Sequence, residues 1–275
     1  MIAQIVVLFL CLPTKSKKEV KSKKYTYYGR EKHAIISVIP FRKKQLSAQD
    51  DYLEEVAQID STLWLKPMPS TFAQEWERIK AEHNATYNNR GKNIAMECLQ
   101  FGGNHEFWDD FPDDDEILAY FRRCYTFAIN TIGYRQTDQN IVCAVIVTEP
   151  NRRNLFVYYL PITNSWQRKA LSDQKSERGN ILQLRDECNE PVYYDYRSEK
   201  RSLLCHTEFW RTRGGKMSYS ELQERFYNEI SKRYGAKRGE SHSRLKYTAD
   251  AQKIRWGRVE GDSDDVLPKP KGMWV

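Results

Sequence analysis

The 275-residue sequence predicts an α+β fold, an antiparallel sheet with helices packed on one face. Three observations carry that expectation. The stretches "DDDEILAYFRRCYTFAINTIG" and "KMSYSELQERFYNEISKRYGAKRGE" repeat apolar residues at the helical period. Between them, "AVIVTEPNRRNLFVYYLPIT" reads as two apolar runs hinged on a polar turn, with Val145, Val147, Val157, Tyr159 and Leu160 suited to paired strands. The order of elements, strand, helix, strand, strand, helix, completes an α+β layer.

Taken in order, the chain begins "MIAQIVVLFLCLPTKSKK", where Ile5 to Leu12 is as long as the apolar region of a signal peptide. No basic residue precedes it, no small-residue cleavage site follows it, and it is too short to span a bilayer, so a buried strand is expected. From Thr14 to Lys44 there are eleven Lys or Arg against Glu19 and Glu31, a net +9. Interleaved with Tyr25, Tyr27 and Tyr28, this run suits contact with phosphates and bases, and equally suits a solvated arm. Residues 1–45 are therefore read as an N-terminal strand and basic arm, 46–250 as the α+β domain and 251–275 as a tail.

Within the domain, "STFAQEWERIKAEH" places Phe72, Trp76 and Ile79 on one helical face, with Ser70 or Thr71 as cap. "NIAMECLQF" reads as a strand and "GGNHEFWDDFP" as a turn-rich connector. In the clearest helix, Ile117, Leu118, Phe121, Tyr125, Ala128, Ile129 and Ile132 follow the 3.6 period. Asp113 to Glu116 favour its positive N-terminal end and Gly133 stops it, so that acidic cluster is read as capping and not as a metal site. After the paired strands, residues 164–201 form a long polar section without periodicity, expected to be an insertion or a pair of short ribbons. In the last helix Ser218 and Glu221 make a capping-box pattern, Leu222, Phe226, Ile230 and Tyr234 repeat every four residues, and Gly235 ends it.

Composition bounds the rest. A chain that is 40% apolar and 13% aromatic can bury a core, and its formal charge of +7 with a pI near 8.9 favours an anionic partner. The six cysteines, at 11, 98, 124, 143, 188 and 205, show no C-x-x-C pair, and three sit in apolar periodic segments, as reduced core thiols do. A cytoplasmic location and no membrane partner are expected.

Here the residues carry a resemblance. "HTEFWRTRGGKMSYSELQERFYNEISKRYGAKRGESHSRLKYT", residues 206–248, is similar to the segment of the plasmid mobilisation and recombination enzymes, the Mob/Pre relaxases, in which a helix ends in a Gly-Leu-Glu-Arg-Gly-Glu-like motif followed by Ser and a Lys-His pair. Gly235, Arg238, Gly239, Glu240, Ser243 and Lys246 match it, whereas Lys237 and Tyr247 depart from it. Upstream, "NRGKNIAMECLQFGGNHEFWDD" and "NIVCAVIVTEPNRRNLFVYYLPIT" stand where the family has its strand before an acidic helix and its hairpin, so the resemblance spans about residues 84–250.

The resemblance implies a relaxase-like fold acting on plasmid or mobile-element DNA, origin-like or single-stranded. The family hairpin carries three histidines that hold a divalent metal, and an ungapped alignment puts them on Val147, Asn154 and Phe156, with Glu149 at an aspartate. Valine and phenylalanine coordinate nothing, so no metal cofactor is expected and metal-dependent nicking should be impaired or lost. The family nucleophile lies on a His-Asn-Glu-Arg-like motif. Here "YYGREKH" has Arg30, Glu31 and His33 in reversed order, which leaves Tyr27, Tyr28 and Glu149 as weak catalytic candidates. His83, His105, His206 and His242 show no metal spacing.

The expected DNA contacts are Arg152 and Arg153 in the hairpin, Arg211, Arg213 and Lys216 around Gly214 and Gly215, and Arg238, Arg244 and Lys246 beyond the last helix. Two other readings stand beside this one: a relaxase-like module that binds without cleaving, and a basic intracellular protein with no DNA role. Oligomeric state is left open.

Overall fold

The computed structural model describes residues 32–58, 62–88, 93–149 and 152–238. Its first strand, β1 (Ala34–Arg42), is followed by α1 (Leu46–Ala57), β2 (Leu63–Lys66), α2 (Phe72–Glu82), β3 (Ala85–Tyr87) and β4 (Ile94–Gly103). Next come a single-turn helix α3 (His105–Trp108), the long helix α4 (Asp114–Ile132), β5 (Ile141–Glu149), β6 (Arg152–Tyr159) and β7 (Ile162–Thr163). Short ribbon strands β8 (Ser165–Lys169), β9 (Leu171–Lys175), β10 (Ile181–Gln183) and β11 (Tyr193–Arg197) lead to β12 (Ser202–Leu204), α5 (His206–Arg211) and α6 (Ser218–Glu229).

Five strands make the central sheet in the order β1-β4-β6-β5-β2, antiparallel throughout. Alternation of side chains sends successive residues of its middle strands into two separate cores. Leu99, Phe101, Ile141, Ala144, Ile146, Leu155, Val157 and Tyr159 enter one, with Phe107, Ile117, Phe121, Phe127, Phe209 and Phe226. Met96, Cys98, Val142, Val145, Val147, Phe156 and Tyr158 enter the other, with Leu53, Val56, Phe72, Trp76 and Ile79. The expected α+β class and antiparallel sheet hold, and α4 covers one face as expected. On the opposite face α1 and α2 add a second helical layer, which explains why Ile141 to Val147 of β5 and Leu155 to Tyr159 of β6 are apolar without alternation.

Local chemistry accounts for the helix ends. Thr71 caps α2: its hydroxyl accepts from the Gln74 amide while the Gln74 side chain accepts from the Thr71 amide. An Asp50 carboxyl oxygen accepts from the Phe72 amide at 2.7 Å, joining α1 to that same turn. Asp113 caps α4 by accepting from the Glu116 amide at 2.8 Å, so the acidic cluster does sit at a helix start. At the other end a Cβ on Gly133 would come within 2.3 Å of the Ile129 and Thr137 carbonyl oxygens, and only glycine allows that approach. The buried Asn140 amide then closes the link to β5, donating to the Ile132 and Leu160 carbonyls and accepting from the Tyr134 amide.

Four expectations change. Residues 34–42, assigned to the basic arm, form an integral strand because Ile36 and Phe41 fill opposite cores. The turn-rich connector contains α3, capped by Asn104 accepting from the Phe107 amide. Ser218 is the first residue of α6 and makes no cap bond, since Met217 holds the cap position. That helix yields at Ile230 to a 3-10 turn, Ser231–Tyr234, before Gly235 at φ +70. Residues 164–201 are ribbons as expected, β8 pairing with β11 and β9 with β10. The strand expected at Ile5 to Leu12 and the tail at 251–275 lie outside the described residues. Among the described residues no helix is long and apolar enough to cross a membrane, and Cys98, Cys124 and Cys143 are buried free thiols.

One polar group is sunk in the first core. Glu97, in the middle of β4 and fully buried, accepts from the Tyr159 hydroxyl and from Trp210 Nε1 at 2.9 Å, and its other oxygen meets His206 Nδ1. Those partners come from β6 and α5, so this carboxyl group ties α5 to the sheet. Glu97→Ala should therefore lower unfolding free energy by about 3–5 kcal/mol, because it opens a cavity and strips two buried donors of their acceptor. Glu97→Gln, which keeps an acceptor oxygen, should lose less than half as much in the same urea titration.

Candidate functional site

The three positions that the family resemblance marks for metal ligands come together. Val147 on β5 pairs directly with Asn154 on β6, and Phe156 lies two residues further along the same face of β6. Cβ atoms of such cross-strand neighbours stand about 5 Å apart, close enough for three side chains to converge on one ion. The side chains present do something else. Val147 and Phe156 are buried, 3% and 8% exposed, in the core beneath α1, where the Tyr52 ring meets the Phe156 ring edge-on at 6.4 Å.

Asn154 alone of the three is polar, and its amide is engaged. Its Oδ1 accepts from Gln100 Nε2 at 3.2 Å, and Gln100 Oε1 in turn accepts from the Ser37 hydroxyl at 3.4 Å. A Cβ on Gly102 would lie 2.4 Å from Asn154 Oδ1, so the missing side chain on β4 is what lets the amide lie across the strand. The result is a row of neutral amides and a hydroxyl over β1, β4 and β6. One carbonyl oxygen beside an isopropyl and a phenyl group does not fit a divalent ion, which needs several oxygen or nitrogen donors. Among the described residues there is no group of three or more His, Cys, Asp or Glu that could hold a metal.

Among the described residues the expected cations are scattered, and Arg153, Arg211, Arg213 and Arg238 have partners within the protein. Arg153 points to the other face of β6 and meets Asp114 at 3.2 Å, at the start of α4. Arg211 bonds Glu208 at 2.7 Å and Asp195 at 2.9 Å, holding α5 to ribbon strand β11. Arg213 is the expected contact most engaged within the protein. Its guanidinium lies 3.7 Å over the Phe209 ring and donates to the carbonyls of Thr131 and Phe209, and burial lowers its pKa, so it works inside the protein. Arg238 pairs with Glu224 on α6. Lys216 is exposed on the turn that Gly214 and Gly215 make with φ of +104 and +58. Arg152 belongs to β6, and Tyr27, Tyr28, Arg244 and Lys246 lie outside the described residues.

Two features escaped the sequence reading. The Glu97 network was signalled by a lone acid within "NIAMECLQF", a carboxyl group between the apolar residues Met96 and Cys98. The second is an aromatic face on the ribbon formed by β8 and β11. There Trp166 and Tyr196 pair across strands with ring centroids 5.1 Å apart and Arg168 lies 3.5 Å over the Tyr196 ring.

No protein-family model and no curated protein sequence matches the chain. Solved structures do. The MobM relaxase domain (MOBV; Mob_Pre) in a Mn-bound crystal structure with 22 nucleotides of plasmid pMV158 oriT DNA is similar at a TM-score of 0.52 and 12% identity, over 81% of this chain and 99% of that one. A second complex of the same domain, with a 3'-thiophosphate on its 22 nucleotides, gives a TM-score of 0.52 at 12% identity over 81% and 98% of the two chains. At such identity the likeness concerns the fold, and in fold this chain is similar to a relaxase domain over most of its length.

Proposed function

We propose that the chain is a relaxase-fold DNA-binding protein acting on plasmid or mobile-element DNA, in which metal-dependent strand nicking has been lost. The observation that carries the reading is the convergence of Val147, Asn154 and Phe156 on one face of the hairpin. An ungapped sequence alignment chose those three positions, and in a fold similar to MobM they are neighbours in space. The hairpin is therefore a retained structural element whose ligand face has become core. Binding to DNA is supported by the likeness to domains crystallised on oriT DNA and by the formal charge of +7. Free buried thiols suit a cytoplasmic protein.

On this reading the chain's work is electrostatic and positional. Cations on the surface displace counterions from phosphates and orient the strand, and Val147 and Phe156 offer no donor to a metal that would polarise a phosphoryl oxygen. Salt-titrated binding to DNA tests it, with the internally engaged Arg213 as the control. Lys216, Arg244 and Lys246 changed together to alanine should weaken binding and shrink the salt slope by about 0.7–0.9 for each phosphate that is no longer neutralised. Arg213→Ala should instead lower thermal stability and leave the slope unchanged. A slope unaffected by the triple change would remove these residues from the interface.

The hairpin makes a separate prediction. Restoring histidine at 147, 154 and 156 together should create a site for manganese or zinc that the parent lacks, detectable by calorimetry. In the triple variant a hundredfold excess of metal over its dissociation constant should add about 2.7 kcal/mol to stability, reversed by chelator, whereas the parent should melt at the same temperature with or without chelator. If metal affinity does not rise, the register of the alignment is wrong.

A further inference from the structure

The ribbon built by β8 and β11 carries a face that the fold does not need. Its register pairs Trp166 with Tyr196 and Arg168 with Tyr194, which puts all four side chains on one side. On the other side Asp195 meets Arg211 on α5, and the Gln167 backbone N–H donates to Glu208 of the same helix. Cross-strand packing explains Trp166 and Tyr196, which half-bury each other, but it does not explain Tyr194, 48% exposed, or the exposed Arg168.

Chemistry narrows the occupant. The face holds three flat π-systems and a guanidinium placed over one of them, with its centre 3.5 Å from the Tyr196 ring and 5.6 Å from the Trp166 ring. No carboxyl group shares it, because Asp195 is turned to α5, and Lys169 and Arg197 stand at the strand ends. Tyr194 and Tyr196, two residues apart on one strand, are separated by about 6.8 Å, roughly twice the thickness of a stacked base. A positively charged surface with aromatic rings suits unpaired nucleotides, whose bases have exposed π-faces and whose phosphates are anionic. Paired bases are buried in their own stack and offer no such contact.

We propose that this ribbon face is a stacking platform for unpaired bases of single-stranded nucleic acid, with Tyr194 and Arg168 as its exposed contacts. The proposal rests on the DNA-binding reading above and adds where a single strand is held and by what chemistry. Arg211, which anchors the ribbon to α5, is a positioning residue for it.

The test uses the full chain with a fluorescent oligothymidine and, separately, a blunt duplex, at two salt concentrations. Tyr194→Leu and Arg168→Ala should each weaken oligothymidine binding by about tenfold and leave duplex binding unchanged, while Tyr194→Phe keeps the parent affinity because the ring remains. Both positions are exposed, so the variants should melt with the parent. Equal losses for Tyr194→Leu and Tyr194→Phe would overturn stacking. Parent-like oligothymidine affinity in all variants, with altered sedimentation of the chain, would make the face a protein contact and overturn the proposal. A chain that binds duplex but not oligothymidine sinks this inference alone, whereas one that binds neither sinks the DNA-binding reading as well.

Discussion

Burial of the central sheet on both faces is the constraint on which the rest of the structure depends. With α4, α5 and α6 on one side and α1 and α2 on the other, β4, β5 and β6 have no solvent side, and each residue must either be apolar or bring its own partners. Most comply by being Val, Ile, Leu, Phe or Cys. Glu97 complies through the second route, with Tyr159, Trp210 and His206 supplying what water would supply elsewhere. A carboxyl group in that position is costly without its three partners, and this makes the placement of α5 as specific as its apolar contacts do.

The same constraint gives physical sense to the hairpin. A polar ligand set on the α1 side of β5 and β6 would need solvent or an ion to satisfy it. Val147 and Phe156 need neither, and Phe156 gains an edge-on contact with Tyr52. What stays polar is the row Ser37, Gln100 and Asn154, whose members satisfy one another. The proposed function accordingly rests on contact at the periphery of the sheet, on the ribbon and on the exposed cations, and not on chemistry at its centre.

How legible this was in the sequence varied with the kind of signal. Amphipathic helices could be read directly: the period of Ile117, Phe121, Ala128 and Ile132, with Asp113 before and Gly133 after, places α4 within a residue of its observed ends. β5 and β6 were legible as strands, but their unbroken apolar runs meant two buried faces, which a single helical layer could not supply. The arginines were the least legible. Whether Arg213 meets a phosphate or the carbonyls of Thr131 and Phe209 depends on tertiary neighbours 82 and 4 residues away, and composition carries no trace of them. Ser218 misled for a local reason, since a 3-10 turn at Gly215–Met217 precedes it and moves the helix start by one residue.

The most direct test of the central claim is the fate of supercoiled plasmid DNA incubated with the full chain, with manganese or with chelator, followed on a gel after protein removal. The account predicts that the chain retards the DNA in a salt-dependent manner and that, once it is stripped away, the plasmid remains supercoiled under both conditions. Nicked circles formed with manganese and not with chelator would contradict it, and would mean that residues other than those on the hairpin face hold the metal.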